Sequence, residues 1–432
     1  MAERMASNPS ASIPTQMENW GDVKAAYHLF EVDDVTFQSV AGPHWEQTRA
    51  REPGRYLILD DTTEISFGYD PDIEGLSRIG NGTSSGFLLH NGLMVDAQSE
   101  AVLGLAGQTI HYRKPAPKKE TISQRMKRER ESKVWGDVID QVGSPDEGVQ
   151  LVHVCDRGGD DFEVFCHLLE NRADWVVRAS ALSRKIITPD GQKVPLKKHL
   201  ATLPIAGEYE LELRARPGQP ARTARIEVRN GAIRMPVPKI HSPYVKRLNP
   251  DPIAMNVIWV REVGAPTGTK PIEWVLYTSL PVKTFFDAWE VIRYYECRWL
   301  VEEFHKALKT GCSVQSRKLR AASRLEPMVA LTSVVAVRLL QLKSFARTEP
   351  DRPARTIVPM LWLHMLKAAR KKLKRVHDLT VYEFYRELAK LGGFLGRKSD
   401  GEPGWITVWR GWEKLNMLVH GAELASTFKK CG

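Results

Sequence analysis

The chain has 432 residues, and its 62 Lys and Arg against 52 Asp and Glu give a formal net charge of +10, which fits a polyanionic partner. With 42% hydrophobic and 26% charged residues it is neither disordered nor fibrous, and its length predicts two or three domains. The five cysteines (155, 166, 297, 312 and 431) lack zinc-site spacing and make no disulfide framework, the longest apolar stretch (Met328 to Val337) is halted by Arg338 before it could cross ~30 Å of hydrocarbon, and the N-terminus has no apolar signal region, so a reducing cytoplasm and no membrane partner are expected.

Residues 16 to 50 read as helical, and the pattern then changes. Arg55 to Leu59 is a short apolar strand ending in Asp60-Asp61-Thr62-Thr63. Gly86 to Val95 and Ala101 to Tyr112 are two further strands, which completes a three-stranded meander. Residues 113 to 133 carry nine Lys or Arg against three Glu. Composition alone favours a solvated surface segment there, with phosphate contact as the functional alternative. Val149 to Cys155 is another strand, ending at Asp156-Arg157, followed by a helix over Phe162 to Asn171 and a strand at Trp175 to Arg178.

From about 186 to 280 the chain is strand-rich. Tyr209, Leu211, Leu213 and Ala215 face one way, a turn falls at 217 to 220, and Ala224, Ile226 and Val228 continue the alternation, as in a half-buried hairpin. Helices return at about 283 and persist to 345. Residues 357 to 395 are helical again and carry the basic run Lys367, Arg370, Lys371, Lys372, Lys374 and Arg375. The tail is rich in glycine and tryptophan, including Trp405, Trp409 and Trp412.

The most informative stretch is Ile292 to Gly311. Tyr295, Arg298, Glu302, Lys306 and Lys309 follow one another at steps of 3, 4, 4 and 3, which places all five on one face of an α-helix. Such a stripe is either a solvent-facing ion-pair ladder or a metal-binding carboxylate among cations and a phenol that hold phosphates.

A metal site needs further oxygen ligands. Asp61 and Asp156 each end an apolar strand, where a bare carboxylate is either turn chemistry or a charge requiring a cation. Asp60 and Asp160 are the nearest decoys, and Asp60 is expected on the opposite face of its strand because neighbours alternate. Arg157 is expected as a salt-bridge partner of Asp160. An Asp on the first strand of a meander, an Asp ending a later strand and a Glu on a helix after a β insertion give the layout of a ribonuclease-H-like nuclease core: an α/β fold, with a mixed sheet and flanking helices, interrupted by an all-β insertion and followed by a C-terminal helical region.

With these residues the chain resembles the DDE transposases of the insertion-sequence-four group, the relatives of the transposon-five enzyme. The likeness runs from about residue 8 to the C-terminus and is carried by Tyr295-x-x-Arg298-x-x-x-Glu302-x-x-x-Lys306-x-x-Lys309, with Asp61-Thr62-Thr63 and Cys155-Asp156-Arg157 matching the family's two aspartate motifs. The resemblance implies that Asp61, Asp156 and Glu302 are catalytic and hold two Mg²⁺ ions, with Mn²⁺ able to substitute. It implies that Tyr295, Arg298, Lys306, Lys309 and Arg178 grip DNA. Trp274 sits where the family stacks a flipped base; by pattern alone it is equally a strand-core residue. The implied partners are double-stranded DNA (transposon ends and target) and a second copy in a homodimer, in a bacterial cytoplasm associated with the nucleoid.

The implied organisation is 1–50, a remnant of the helical end-recognition region; 51–202, the first part of the core; 203–282, the β insertion; 283–350, the second part with the catalytic helix; and 351–432, a helical dimerisation region. The implied activity is cut-and-paste transposition through a DNA hairpin. Because the likeness begins inside the family's N-terminal region, the alternatives are an N-terminally truncated, non-catalytic inhibitor that binds DNA and dimerises, or a ribonuclease-H-like nuclease.

Overall fold

The structure, a computed structural model, describes residues 1–68, 73–213, 220–370, 373, 376–397 and 400–428. Ala215 and all but the last residue of the turn expected at 217–220 lie outside the described residues, as do Lys371, Lys372, Lys374 and Arg375 of the basic run.

Among the described residues, twelve strands form one mixed sheet: β1 (Gly54–Ser66), β2 (Ser77–Ile79), β3 (Ser84–Asp96), β4 (Val102–His111), β5 (Val149–Cys155), β6 (Asp174–Arg178), β7 (Lys185–Ile187), β8 (Lys193–Pro195), β9 (Ile205–Leu213), β10 (Arg222–Met235), β11 (Ile253–Val263) and β12 (Glu273–Thr278). The order β2-β3-β1-β5-β6-β12-β11-β10-β7-β8, with β4 on β3 and β9 on β10, joins two halves. The antiparallel meander β1-β3-β4 extends into the parallel strands β5 and β6, the ribonuclease-H-like part. The strands expected as an insertion continue the same sheet, because β12 pairs antiparallel with β6 from Leu276↔Arg178 to Thr278↔Val176.

Alternation along the central strands divides the core. Leu57, Leu59, Val152 and Val154 face one large apolar cluster, whereas Tyr56 and Ile58 face a smaller one with Val138 and Val142. Burying each such aliphatic side chain contributes about 1.5–3 kcal/mol, so a register slip, which would turn every one of them over, is strongly disfavoured.

The longer helices are α1 (Trp20–Leu29), α2 (Phe37–Arg49), α3 (Lys133–Val142), α4 (Phe162–Glu170), α5 (Phe285–Glu296), α6 (Trp299–Lys306), α7 (Ala322–Thr348), α8 (Met360–Ala369), α9 (Val381–Leu391) and α10 (Trp405–Phe428). Helices α2, α5, α6 and α7 cover the first face, while α3 lies on the second.

The region 16–50 is helical as expected, in two main helices, α1 and α2. Three expectations are corrected by the structure. The first strand does not end at Leu59 but runs on to Ser66, because β3 pairs with it as far as Ser66↔Gly86. The region 283–345 is interrupted between Gly311 and Ala322. Helix α7 has 27 residues and is long and apolar enough to cross a membrane, but 78% of its most apolar window is buried inside the protein, as a core helix requires.

Candidate active site

The parallel ladder between β1 and β5 ends at Asp60↔Cys155, after Leu57↔Val152 and Leu59↔Val154. The next residues on the two strands are Asp61 and Asp156. They share the face of Leu57, Leu59, Val152 and Val154, so two apolar rows side by side each run out into a carboxylate. Although β1 itself continues past Asp61, its pairing with β5 stops there, and the second aspartate leaves the ladder to cap a short 3₁₀ turn, accepting the Gly158 N–H at 2.6 Å.

Asp60 turns to the opposite face, as alternation demands. It is buried and takes a 2.8 Å hydrogen bond from His153 Nδ1. Asp160 is also buried, bonded to the Ser180 N–H at 2.6 Å and to Arg184; the expected partnership with Arg157 is replaced by Arg184. Neither decoy is available to an external ligand.

The helical stripe is not one helix. Helix α5 starts at a Thr284/Asp287 capping box and ends at Glu296. Bonds then tighten to i−3 at Arg298, Leu300 and Val301, α6 follows, and Ala307–Gly311 widens into a π-turn closed by the Cys312 N–H on the Ala307 carbonyl at 2.8 Å. The five residues therefore diverge. Tyr295 is buried at the end of α5, with its ring 5.4 Å from Trp274 in an edge-on arrangement and its hydroxyl 3.5 Å from Arg178 Nη1. Trp274 is half-buried on β12 against the main core. Arg298 stands at the helix break and donates to Asp61 Oδ2 at 3.3 Å and to Glu302. Lys309 lies within electrostatic reach of Asp61 and Glu64, and burial pulls its pKa below the usual lysine value. Lys306, one turn beyond Glu302 on α6, is exposed and 3.3 Å from Glu303, which also binds Lys343 and the Trp405 indole on the side of the C-terminal helices.

The electrostatics link the three carboxylates. Burial pushes the Asp61 carboxyl up to about 6; Arg298 opposes this, while the charges of Asp156 and Glu302 both add to it. The guanidinium is held charged: burial works against it, but the bond to Glu302 and the charge of Asp61 outweigh that. Among the described residues, no three His, Cys, Asp or Glu side chains are gathered closely enough to hold a metal ion. The expected convergence of the three carboxylates on one point is thus not realised in this arrangement, where Arg298 lies between two of them. The donor chemistry nevertheless fits a hard divalent cation: Asp61 and Asp156 just past the end of the β1–β5 ladder and Glu302 on the adjoining helix are three carboxylates, the charges of the other two press on Asp61, and a cation relieves that repulsion.

A cleft of about 1260 Å³ opens onto Asp61, Thr62 and Asp156. Arg113, Lys114, Arg125, Arg128 and Arg130 wall it, so the basic segment at 113–133 faces the cleft, with its charges partly neutralised by Glu120, Glu129 and Glu131.

A second group had not been expected. His90 Nδ1 lies 2.7 Å from the Thr62 hydroxyl, beside Asp61, and its ring packs on Trp135. On α6, His305 accepts from Asn91 Nδ2 at 3.0 Å; Gln108 donates to Asn91 at 2.6 Å and Trp45 to Gln108 at 3.3 Å. This buried chain ties the helix carrying Glu302 through the meander to α2. Its signal in the sequence was the polar pair His90-Asn91 inside an otherwise apolar strand.

Three family models match the chain. Transposase DNA-binding matches residues 1–35, Transposase DDE domain residues 126–337, and Transposase Tn5 dimerisation domain residues 334–432. The chain belongs to the Tn5-like DDE transposases. Such transposases act on DNA, form dimers and generally use divalent metal ions. The DDE match includes Asp156 and Glu302 but begins after Asp61, whose association with Asp156 therefore rests on the strand register.

Proposed function

We propose that this transposase excises and inserts DNA by a cut-and-paste route, hydrolysing the phosphodiester at a transposon end and then transferring the freed 3′ end to target DNA. The observation that carries this reading is the pair of register-matched apolar rows that run into Asp61 and Asp156, with Glu302 tied to the same place through Arg298. Asp61, Asp156 and Glu302 would hold two Mg²⁺ ions, or Mn²⁺ in their place. Bound there, the ions would activate the attacking oxygen and stabilise the leaving one in an in-line displacement at phosphorus.

The remaining roles fall to side chains. Lys309 and Arg298 counter the phosphate charge beside the carboxylates, and Arg178 with the Tyr295 hydroxyl grips the backbone on the β12 side. Lys306 contributes long-range positive charge. The half-buried Trp274 face would take up a flipped base and so relieve the bend of a hairpin intermediate, a stacking contribution of about 1–3 kcal/mol. Residues 1–50 would read the transposon end, 51–202 and 283–350 would form the catalytic core, 203–282 would be the β insertion, and 351–432 would pair two subunits. Helix α10 exposes Ile406, Met417, Leu418 and Leu424, apolar surface suited to a homodimer. The place of work would be the bacterial cytoplasm, on nucleoid DNA.

The test uses duplexes that carry the inverted repeats flanking the coding sequence. Wild-type protein with Mg²⁺ should nick them and yield hairpin ends on denaturing gels, and Trp274→Ala should nick but accumulate fewer hairpins. Metal-dependent cleavage unchanged in Asp61→Asn, Asp156→Asn and Glu302→Gln would overturn the assignment.

A further inference from the structure

Among the described residues, one cation is bonded to two of the three candidate ligands, and it is not placed as a passive neighbour. Arg298 Nη1 reaches Asp61 and its Nη2 reaches Glu302, so a single planar guanidinium spans the two carboxylates. The Asp61 side chain is only 17% exposed and that of Arg298 only 19%, so the carboxylate could not stand unpaired at low cost. The arginine satisfies it, but in doing so it lies between two groups that a divalent ion would have to share. Its backbone sits at the interruption between α5 and α6, where the hydrogen bonds have already tightened to i−3, so the side chain is anchored at a joint rather than in mid-helix. Asp61 also faces a cleft walled by cations, where a phosphate backbone would lie, and a guanidinium binds phosphate at least as well as it binds carboxylate.

We propose that Arg298 gates the metal site: in the DNA-free chain its guanidinium stands in for the divalent ion between Asp61 and Glu302, and a DNA phosphate draws it off, so that metal binding is coupled to DNA binding through this one side chain. By linkage, a divalent ion then raises DNA affinity by the same factor by which DNA raises metal affinity. The device would keep a DNA-cutting centre unloaded until DNA is present. It rests on the metal-site reading above, and its test separates the two.

The experiment titrates Mn²⁺ into the DNA-free full-length chain and follows free ion by electron paramagnetic resonance. Arg298→Gln should bind Mn²⁺ about tenfold more tightly than wild type, and Arg298→Lys, which keeps the charge but cannot bridge both carboxylates, should fall between them. Lys309→Ala removes a nearby cation that is not bonded to either carboxylate and should change the affinity much less. In a second measurement, Ca²⁺ should raise the affinity of wild type for a short duplex more than it raises that of Arg298→Gln. Circular dichroism confirms that each variant is folded, and the Lys variant carries the test if the Gln variant is not. If adding Asp61→Asn or Glu302→Gln to Arg298→Gln leaves its Mn²⁺ affinity unchanged and tighter than wild type, the metal-site reading fails and the gate with it. If Arg298→Gln binds no more tightly than wild type, or gains no more than Lys309→Ala, the gate is wrong.

Discussion

Asp61 and Asp156 are positioned by a sheet; Glu302 is positioned by a broken helix. The two aspartates emerge one residue beyond a parallel ladder, and the apolar rows behind them admit only one register. Glu302 follows a helix break and precedes a π-turn, with its side chain 46% exposed and tied to Arg298. The difference teaches that, in the proposed site, the sheet would supply the fixed ligands and the helical segment the adjustable one, which suits a site that must accept DNA and ions together. Behind the helical segment lies the buried His305-Asn91-Gln108-Trp45 chain, which sets where α6 sits on the sheet.

The largest expected effect treats the two sides alike. Asp156→Asn on the sheet and Glu302→Gln on the helix should each lower the cleavage rate by about three orders of magnitude or more, about 4 kcal/mol of transition-state stabilisation, with melting temperatures close to wild type. Single-turnover cleavage and thermal melts check this. A variant that loses activity only by unfolding would break the comparison.

The next concerns how the C-terminal helices meet each other and the π-turn. At Gly411 on α10 an added Cβ would lie 1.8 Å from the Leu388 carbonyl oxygen on α9, and at Gly311 one would lie 1.7 Å from the Trp409 ring. Gly411→Ala should therefore destabilise this region by about 3 kcal/mol, the upper end for overpacking against a backbone. Thermal melts would show it, together with weaker dimerisation by sedimentation. The Asp61–Asp156 side should be untouched.

A smaller effect isolates His305. Burial holds its pKa down at about 3, against an ordinary value near 6.5, so the folded chain keeps it neutral while the unfolded chain protonates it. The stability it contributes is complete above pH 6.5 and is lost as pH falls toward 3, by about 2 kcal/mol at pH 5. Asp61, raised to about 6, has the opposite sign over the same range. The comparison of wild type with His305→Gln is therefore what isolates the histidine: urea melts from pH 7.5 to 5 should show a shallower loss in the variant. The smallest effect sharpens the split within the stripe. Lys309→Ala should lower the salt slope of DNA binding by about one unit, and Lys306→Ala, whose partner Glu303 faces the C-terminal helices, by less.

Much of this was legible in the sequence. The strands around Asp61 and Asp156 were found because apolar runs and alternation report burial, and the face of Asp60 followed from the period of two. Beyond Asp61, β1 is hidden from the pattern because four of its five remaining residues are polar and Ile65 stands alone; they stay in the strand by pairing with β3. The helical stripe reads as one face because periodicity assumes constant pitch; the i−3 bonds at Arg298 change that pitch with no Pro or Gly at the break, and a π-turn follows that ends at Gly311. The buried polar chain carried only a weak signal, since a His in a strand pattern does not reveal its partners.

The most direct test is a crystal structure of the dimer with transposon-end DNA and Mn²⁺, read by anomalous scattering. The account predicts manganese peaks about 2.0–2.3 Å from carboxylate oxygens of Asp61, Asp156 and Glu302, with the Arg298 guanidinium moved onto a phosphate. Manganese bound elsewhere, with Arg298 still bridging Asp61 and Glu302 beside the scissile phosphate, would contradict it.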